Sequence, residues 1–287
     1  MLHHSLRILG VLTVLFVVAL VFAGPANFAK NSPAQLRASE DASEDASVVS
    51  PPGGKILIAT GGRLVLIDRA SKATVWESSG LHGALSVSAL PDGEFLVAEG
   101  KSIARVDSLG KTVSRASASF KMTIDVKPLE NGRMLVCDGP AGTVVEMDWS
   151  GKITWSVSNL HHPSEAVRLE NGDTLVADGT AELKEFDSNG KFVRGTWLKQ
   201  WAAAVQRLPD GNTLVGESRS VEFLEPSGRA IWSVPTNSRA TGVRQLPSGE
   251  YLISEPDAKR VVIMEVSGSV VWEATGLNYP WRAIYVQ

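Results

Sequence analysis

A short segment recurs along this chain at an almost constant interval. Each copy ends a run of apolar residues with a turn such as Pro-Asp-Gly or Glu-Asn-Gly and then enters a second apolar run. The turn glycines are Gly54, Gly93, Gly132, Gly172, Gly211 and Gly249, with spacings of 39, 39, 40, 39 and 38 residues. A period of this size is typical of repeat folds, in which each unit is one supersecondary element. Residues 54–287 number 234, which is six times 39.

Each unit divides into four short segments rich in apolar residues. Around Gly172 they read EAVRL, DTLVAD, ELKEFD and KFVRG, and turns or polar loops separate them. Glycine suits the tight turns because it tolerates a positive φ that other residues avoid. Four antiparallel strands in a unit of about 40 residues are the pattern of a propeller blade. We therefore predict an all-β, six-bladed β-propeller over residues 53–287.

The two ends of the repeat region predict how the ring closes. The copy at Gly54 lacks the segment that precedes the turn in the other copies, whereas residues 281–287 resemble that segment alone. We expect this C-terminal strand to complete blade 1. Closure of this kind removes the exposed sheet edges that an open array would leave.

The N-terminal residues predict the cellular location. Residues 8–29 are uncharged and mostly apolar, and Arg7 precedes them. The charge, the apolar core and the small-residue site at Val21-Phe22-Ala23 are typical of a secretory signal peptide. As a helix, these 22 residues would reach ~33 Å, enough to span a bilayer. We predict that residues 1–29 are a signal peptide or a membrane anchor, which makes the remainder periplasmic or extracellular.

Residues 30–52 predict a flexible acidic tether. They contain ASEDASEDAS and few large apolar side chains, so they cannot bury enough surface to offset the entropy of ordering. The whole chain has a net charge of −3 and no basic excess, which argues against nucleic acid as a partner. The single cysteine, Cys137, cannot form an internal disulfide, and we expect it to be a small buried residue.

Residues that repeat in most of the units are interpreted as architecture. We expect the tryptophans of the fourth strand to pack between neighbouring blades; they are Trp76, Trp155, Trp232 and Trp272. The acids that end the second strand are Glu99, Asp138, Asp178, Glu217 and Glu255. We expect these carboxylates to accept backbone N–H groups from the following loop or the next blade. The alternative is that they ring the channel mouth and hold a metal cation.

The loops that enter the first strand of each unit are its least repetitive part. Variation against a repeating background is where a binding site is expected. The candidate ligand-binding residues in these loops are His82, Lys121, His161, His162, Trp201, Arg239, Trp281 and Arg282. Arginine and lysine supply charge and tryptophan supplies stacking faces, a combination that suits a small anionic or sugar-like ligand.

The units LENGDTLVADGTAELKEFDSNGK and LPDGNTLVGESRSVEFLEPSGRAIWS resemble the repeats of pyrroloquinoline-quinone-type and NHL-type propellers. They are also similar to bacterial arylsulfotransferase-type propellers. The resemblance covers about residues 53–287 and implies the blade structure. Quinone-dependent dehydrogenases would further imply a calcium site and a ligand cage, for which this sequence offers no identifiable residues.

Two enzymatic alternatives follow from these resemblances. The arylsulfotransferase resemblance implies a histidine nucleophile, with His162 and His82 as the candidates, and an anion stabilised by Lys121, Arg239 or Arg282. Gluconolactonase-type propellers, which also have six blades, imply a hydrolase with a metal on the channel axis, for which the five strand-end carboxylates are the candidate ligands.

Our main functional prediction is a ligand-binding or protein-interaction module on the loop face. No motif requires a cofactor, and zinc, nucleotide and serine-hydrolase motifs are missing from the sequence. The arylsulfotransferase-like enzyme is the first alternative and the metal-dependent lactonase-like hydrolase is the second. A membrane contact is expected only through an uncleaved N-terminal segment.

Overall fold

The computed structural model describes residues 54–287, and within this range every regular element is a β-strand. The first twelve strands are β1 (Lys55–Thr60), β2 (Arg63–Asp68), β3 (Thr74–Glu77), β4 (Ala84–Ala89), β5 (Phe95–Glu99), β6 (Ser102–Val106), β7 (Thr112–Arg115), β8 (Thr123–Pro128), β9 (Met134–Asp138), β10 (Thr143–Met147), β11 (Ile153–Val157) and β12 (Glu165–Arg168). The other twelve are β13 (Thr174–Ala177), β14 (Glu182–Phe186), β15 (Phe192–Trp197), β16 (Ala202–Arg207), β17 (Thr213–Glu217), β18 (Ser220–Leu224), β19 (Ala230–Pro235), β20 (Gly242–Gln245), β21 (Tyr251–Glu255), β22 (Arg260–Met264), β23 (Val270–Ala274) and β24 (Arg282–Val286).

These strands form six antiparallel sheets of four, so the predicted six-bladed β-propeller is confirmed. Blade 1 has the order β24-β1-β2-β3, and blades 2 to 6 each use four consecutive strands, from β4–β7 to β20–β23. The innermost strands are β24, β4, β8, β12, β16 and β20. Each of them packs against the innermost strand of the next blade around the ring.

The ring closes as the sequence predicts. Strand β24 pairs antiparallel with β1, with Arg282 opposite Ala59 and Val286 opposite Lys55. The N–H of Trp281 also donates to the carbonyl of Ala59 at 2.9 Å. A strand from the C-terminal end of the described chain therefore completes a sheet made from its N-terminal end.

Five of the six repeat glycines take the left-handed conformation that the turns require. Their φ angles lie between 73° and 89°, and Gly132 N–H donates to the carbonyl of Leu129 at 3.0 Å. A residue with a Cβ is strained in this region, so the Gly at each turn follows from backbone sterics. The turns between the first and second strands lie at one end of the ring, here called the turn end.

The hydrophobic core lies between the blades. Six buried clusters occur among the described residues, and each combines side chains from two neighbouring blades. Between blades 3 and 4, for example, Cys137 packs with Val176 and Phe186. Cys137 is buried as predicted, and burial raises the pKa of its thiol well above the ordinary value.

The repeated tryptophans join neighbouring blades, as predicted. Trp155, Trp232 and Trp272 donate their indole N–H to a carbonyl in the next blade, at 3.3, 3.0 and 2.8 Å. Trp76 packs against Phe95 of blade 2, with ring centroids 6.3 Å apart. The three indole hydrogen bonds satisfy a polar group while the tryptophan ring packs between the blades.

The predicted signal peptide or anchor, residues 1–29, and the predicted tether, residues 30–52, lie outside the described residues. Between residues 54 and 287, the chain has no helix of the length and apolar character that crossing a bilayer requires.

Candidate functional site

The six innermost strands all begin at the end of the ring opposite the turn end. The loops that lead into them together form a surface that we call the mouth. It includes seven of the eight predicted ligand-binding residues, since His82 precedes β4, Lys121 precedes β8, and Trp281 precedes β24. The eighth, Arg282, is the first residue of β24 itself.

The strand-end carboxylates hold these loops in place. Asp138 accepts the backbone N–H groups of Lys121 and Met122 at 2.7 and 3.1 Å. Asp178 accepts the N–H of His161 at 2.8 Å. The donors belong to the loop that enters the innermost strand of the same blade. The predicted role as backbone acceptors is confirmed for these acids. Most of the donors lie in the preceding loop, and Asp138 also accepts the N–H of Ala141 in the following loop at 3.3 Å.

Three of these carboxylates also pair with a cation from their own blade. Glu99 lies 2.5 Å from Arg115, Asp178 lies 2.5 Å from Lys184, and Glu255 lies 2.6 Å from Arg260. Burial opposes the ionisation of Glu99. The hydrogen bonds that its carboxylate accepts from Arg115, the His82 N–H and Ser102 outweigh the effect of burial, and they lower the pKa of Glu99.

Glu217 of blade 5 differs from the other acids. It accepts the hydroxyl of Ser220 at 2.7 Å but forms no ion pair with any described residue. Glu222 occupies the position that Lys184 holds in blade 4, so a second acid replaces the cation. Burial, together with the charge of Glu222, raises the pKa of Glu217 above its ordinary value.

The carboxylates do not converge on one point. Across residues 54–287, no group of three or more His, Cys, Asp or Glu side chains is close enough to share a metal ion. Each acid is instead engaged within its own blade. The geometry of the described residues therefore offers no ligand set for the lactonase-like alternative.

Part of the mouth is a compact cluster of aromatic rings around one arginine. The guanidinium carbon of Arg239 lies 5.8 Å from the ring centroid of Trp201 and 5.9 Å from that of Trp281. Tyr279 stacks on Trp281 with a centroid distance of 5.8 Å and also hydrogen-bonds Arg239. Asp257 holds the same guanidinium through two contacts of 2.9 and 3.1 Å. We call these five residues the aromatic cluster.

His162 extends this cluster toward blade 4. A Cβ placed on Gly179 would lie 3.0 Å from the indole nitrogen of Trp201 and 3.1 Å from the Cβ of His162. A Cβ on Gly139 would lie 2.7 Å from the imidazole of His162. Two glycines thus allow His162 and Trp201 to pack closely over the backbone.

The remaining mouth candidates stay apart from the aromatic cluster. His82, Lys121 and His161 are exposed, and in residues 54–287 their side chains make no hydrogen bond, ion pair or ring contact. The imidazole of His162 also has no hydrogen-bonding partner in that range. Neither candidate nucleophile, His82 or His162, is therefore oriented by a carboxylate as nucleophilic histidines commonly are.

A second polar cluster fills the channel below the mouth. Register places one equivalent position from every innermost strand in a single layer: Ser86, Asp125, Glu165, Ala204, Gly242 and Arg282. Lys127 and Arg244 lie two residues further along their strands, toward the turn end. We call the five charged residues among these the channel plug: Asp125, Lys127, Glu165, Arg244 and Arg282.

Glu165 is the centre of the plug. Its carboxylate contacts Lys127 and Arg282 at 2.8 Å each and also pairs with Arg244. It accepts the backbone N–H of Val205 at 2.9 Å. Burial opposes its ionisation, but the charges of the three cations outweigh that effect and hold the pKa of Glu165 well below its ordinary value.

All six blades contribute to this network. Arg282 of blade 1 crosses the channel to donate to the Ser164 carbonyl of blade 4 at 3.1 Å and to the Thr241 carbonyl of blade 6. Ser86 of blade 2 donates to Asp125 of blade 3 at 2.5 Å. Side chains and one backbone amide thus close the channel between the mouth and the turn end.

Arg282 differs from the prediction that placed it at the mouth. Its side chain is 0% exposed because the strand carries it into the channel, where Glu165 neutralises it. Sequence reasoning also missed the other four plug residues. The signal was present: at one aligned position the first strands read Ser, Asp, Glu, Ala, Gly and Arg, so charged residues interrupt apolar strands at a position where the other elements repeat.

A groove of about 660 Å³ lies at the turn end between blades 3 and 4. Arg133 and Arg168 reach Glu146 there at 3.1 and 2.6 Å, and Arg168 also lies 4.7 Å from the ring centroid of Trp155. The charged groups of this groove neutralise each other, which makes it a weaker candidate for a ligand than the mouth.

Comparisons with known proteins support the fold. No protein-family model matches the chain, and no curated protein matches it. A protein of unknown function from Bacteroides caccae is similar in structure, with a TM-score of 0.68 and 19% identity over 82% of this chain and 99% of that one. The WD40 propeller domain of Doa1 gives a TM-score of 0.58 at 14% identity, over 77% of this chain and 79% of that one.

An enzyme is also among the similar structures. Virginiamycin B lyase from Staphylococcus aureus gives a TM-score of 0.53 at 13% identity, over 68% of this chain and 70% of that one. At such low identity these likenesses concern the fold alone. Together with the strand order and the closure by β24, they establish residues 54–287 as a six-bladed β-propeller.

Proposed function

We propose that this propeller is an extracytoplasmic ligand-binding module that takes an acidic oligosaccharide at its mouth. The observation that carries this proposal is the aromatic cluster, in which Arg239 lies between two tryptophan rings. The cluster occupies the one surface of the ring where the loops differ from blade to blade. A rigid ring with a variable loop face is suited to presenting such a site.

The chemistry of the cluster favours a sugar ring. Tyr279 is 42% exposed and stacked on Trp281, so a flat aromatic surface faces the solvent at the mouth. Asp257 neutralises Arg239, which leaves the guanidinium as a fixed donor rather than a free charge. Aromatic faces with polar edges bind the apolar faces and hydroxyl groups of sugars through burial and hydrogen bonds.

The acidic group of the ligand is assigned to the exposed cation of blade 3. Lys121 lies at the mouth and has no carboxylate partner in the described chain. Its loop is fixed by Asp138, which accepts the backbone N–H of Lys121 at 2.7 Å. An anionic ligand therefore gains from Lys121, whereas a neutral sugar does not.

The extracytoplasmic location rests on the sequence of the N-terminal segment. Residues 8–29 lack charge, and Arg7 precedes them, as in signal peptides and N-terminal anchors. The similarity of the repeats to quinone-type, NHL-type and arylsulfotransferase-type propellers accords with a secreted or anchored ring, and the finer family assignment is part of the same proposal.

Calorimetric titration of the full chain with oligosaccharides containing uronic acids tests this function. We expect Trp281→Ala to weaken binding by about fivefold or more, because one stacking face is worth about 1–3 kcal/mol. Trp197→Ala is the matched control, since Trp197 is 78% exposed on the outermost strand of blade 4 and is expected to leave affinity unchanged. Lys121→Gln should weaken the binding of acidic sugars and leave the binding of neutral sugars unchanged.

Three results would overturn the proposal. If the wild type and Trp281→Ala bind the sugar with equal affinity, the aromatic cluster is not part of the binding site. A stable gain of one sulfuryl group on incubation with an aryl sulfate, lost in His162→Ala or His82→Ala, would instead establish the arylsulfotransferase-like enzyme. Binding of a protein partner that needs the mouth loops and no sugar would favour the interaction module.

A further inference from the structure

The channel plug carries one positive charge more than it carries negative charges. Lys127, Arg244 and Arg282 are cations, whereas Asp125 and Glu165 are the two acids in contact with them. The excess is carried by Lys127 and Arg244, which are mostly buried with side chains 18% exposed, because the buried Arg282 is outnumbered by the buried Asp125 and Glu165. An uncompensated charge in such surroundings is unfavourable, so a counter-ion at this point would stabilise the ring.

The cations also have N–H groups to spare. Glu165 already accepts four N–H contacts, from three cations and Val205, which is its full capacity. The Nε–H of Arg282 is buried and has no acceptor among residues 54–287. The ammonium group of Lys127 makes two contacts, to Asp125 and Glu165, and therefore retains a third N–H.

The accessible side of the plug faces the turn end. Lys127 and Arg244 follow the buried layer along their strands, and their side chains are each 18% exposed. Both cations lie on the turn-end side of the layer that contains Arg282 and Glu165. The side of the plug away from the mouth therefore presents Lys127 and Arg244, which share the carboxylate of Glu165, while Lys127 also contacts Asp125.

The rim of the turn end restricts which anions fit. Acidic residues are exposed on the surrounding turns, and they are Asp92, Glu130, Glu170 and Asp210. Their field disfavours polyanions such as nucleic acids and acidic polysaccharides. One excess positive charge is matched by one monovalent anion.

We propose that the channel binds a halide-sized monovalent anion on the turn side of the plug, against Lys127 and Arg244. The site is distinct from the mouth and lies on the other side of the Arg282–Glu165 pair. It would act as a structural ion that neutralises the channel and holds the innermost strands of blades 3 and 6 together.

Bromide is the probe that locates the ion. Crystals of the full chain grown in gluconate and soaked in sodium bromide should show an anomalous peak in contact with the Lys127 ammonium group. Peaks confined to surface lysines and arginines, or no peak, would overturn the proposal. This measurement uses the wild-type chain, so it does not depend on whether any plug variant folds.

Thermal unfolding measures the effect of the ion on stability. At constant ionic strength, replacing gluconate by chloride at about 100 times the dissociation constant should raise the unfolding midpoint by on the order of 5 °C. Lys127→Gln should abolish this rise, whereas Lys152→Gln, a change of an exposed lysine on the outer part of blade 3, should retain it. Arg239→Ala at the mouth should also retain it. A midpoint that is equal in both salts for the wild type would contradict the site.

Discussion

Two sets of polar residues, the strand-end carboxylates and the channel layer, follow opposite rules. An acid ends the second strand in five blades, and in at least four of them it fixes the loop that enters the innermost strand. The channel layer instead has a different residue in every blade and forms a single network across the ring. Repetition therefore marks what each blade does for itself, and variation marks what the ring does once.

The largest expected effect comes from the residue on which the channel network converges. Glu165→Gln leaves Arg244 without a carboxylate and leaves Lys127 and Arg282 with Asp125 alone. Removing one partner of a buried ion pair costs about 3–5 kcal/mol of unfolding free energy. Urea denaturation monitored by tryptophan fluorescence measures this loss. Glu170→Gln, on an exposed turn, is the control and should change stability little; a loss below about 1 kcal/mol for Glu165→Gln would show that the plug is not a unit.

An intermediate effect is expected at the repeated position. Glu255→Gln weakens the acceptor for Ser238 N–H, at 3.1 Å, and breaks the ion pair with Arg260. Hydrogen bonds to charged groups contribute about 1.5–3 kcal/mol, so a loss of this size is expected in the same denaturation experiment. Asp178→Asn is the equivalent change in blade 4 and should cost a similar amount. Losses that differ severalfold between the two blades would show that the repeated strand-end acids are not equivalent.

The smallest effect concerns Glu217, the repeated acid whose pKa shifts in the opposite direction to that of Glu99. Because its pKa is raised in the folded chain, the folded state binds more protons than the unfolded state as the pH rises above 4.5, the ordinary value. Its contribution to stability is therefore present below that pH and is lost as the pH rises through the folded pKa.

Glu217→Gln removes this pH dependence. We expect the variant to unfold at a slightly higher temperature than the wild type at about pH 7 and at the same temperature at about pH 4. Thermal unfolding at both pH values is the measurement, and Glu99→Gln, which loses the pairing with Arg115, should instead unfold at a lower temperature at neutral pH. A lower midpoint for Glu217→Gln at neutral pH would place Glu217 with the other acids.

The sequence predicts the ring because its rules are local and repeated. The turn glycines, the interblade tryptophans and the closing strand each follow from a pattern visible over a few residues. The contacts of the channel are not visible in this way, because Arg282 meets Glu165 across 117 residues and Arg244 meets it across 79. Only the register of strands in different blades brings these side chains together.

The sequence predicts which loops form the mouth, but it does not predict how their side chains are arranged. Loop variation pointed to Trp201, Arg239 and Trp281, and the structure places these three in contact. Tyr279 and Asp257 were not predicted, because neither loop sequence nor spacing indicates that they would reach Arg239. Which of two neighbouring loop side chains packs inward depends on backbone details, such as the positive φ of Tyr279, that a repeat alignment does not contain.

The closing strand has a consequence for synthesis on the ribosome. Strand β24 follows the other 23 strands in chain order, so Arg282 emerges after Glu165 by 117 residues, or roughly 6–20 s of translation. During that interval the nascent chain has an unpaired edge at β1 and an open channel. When β24 is added, it pairs with the free edge of β1 and inserts Arg282 into the channel in one step. Sealing the sheet and sealing the channel are therefore a single late event, and a stalled chain would expose both defects to chaperones and proteases.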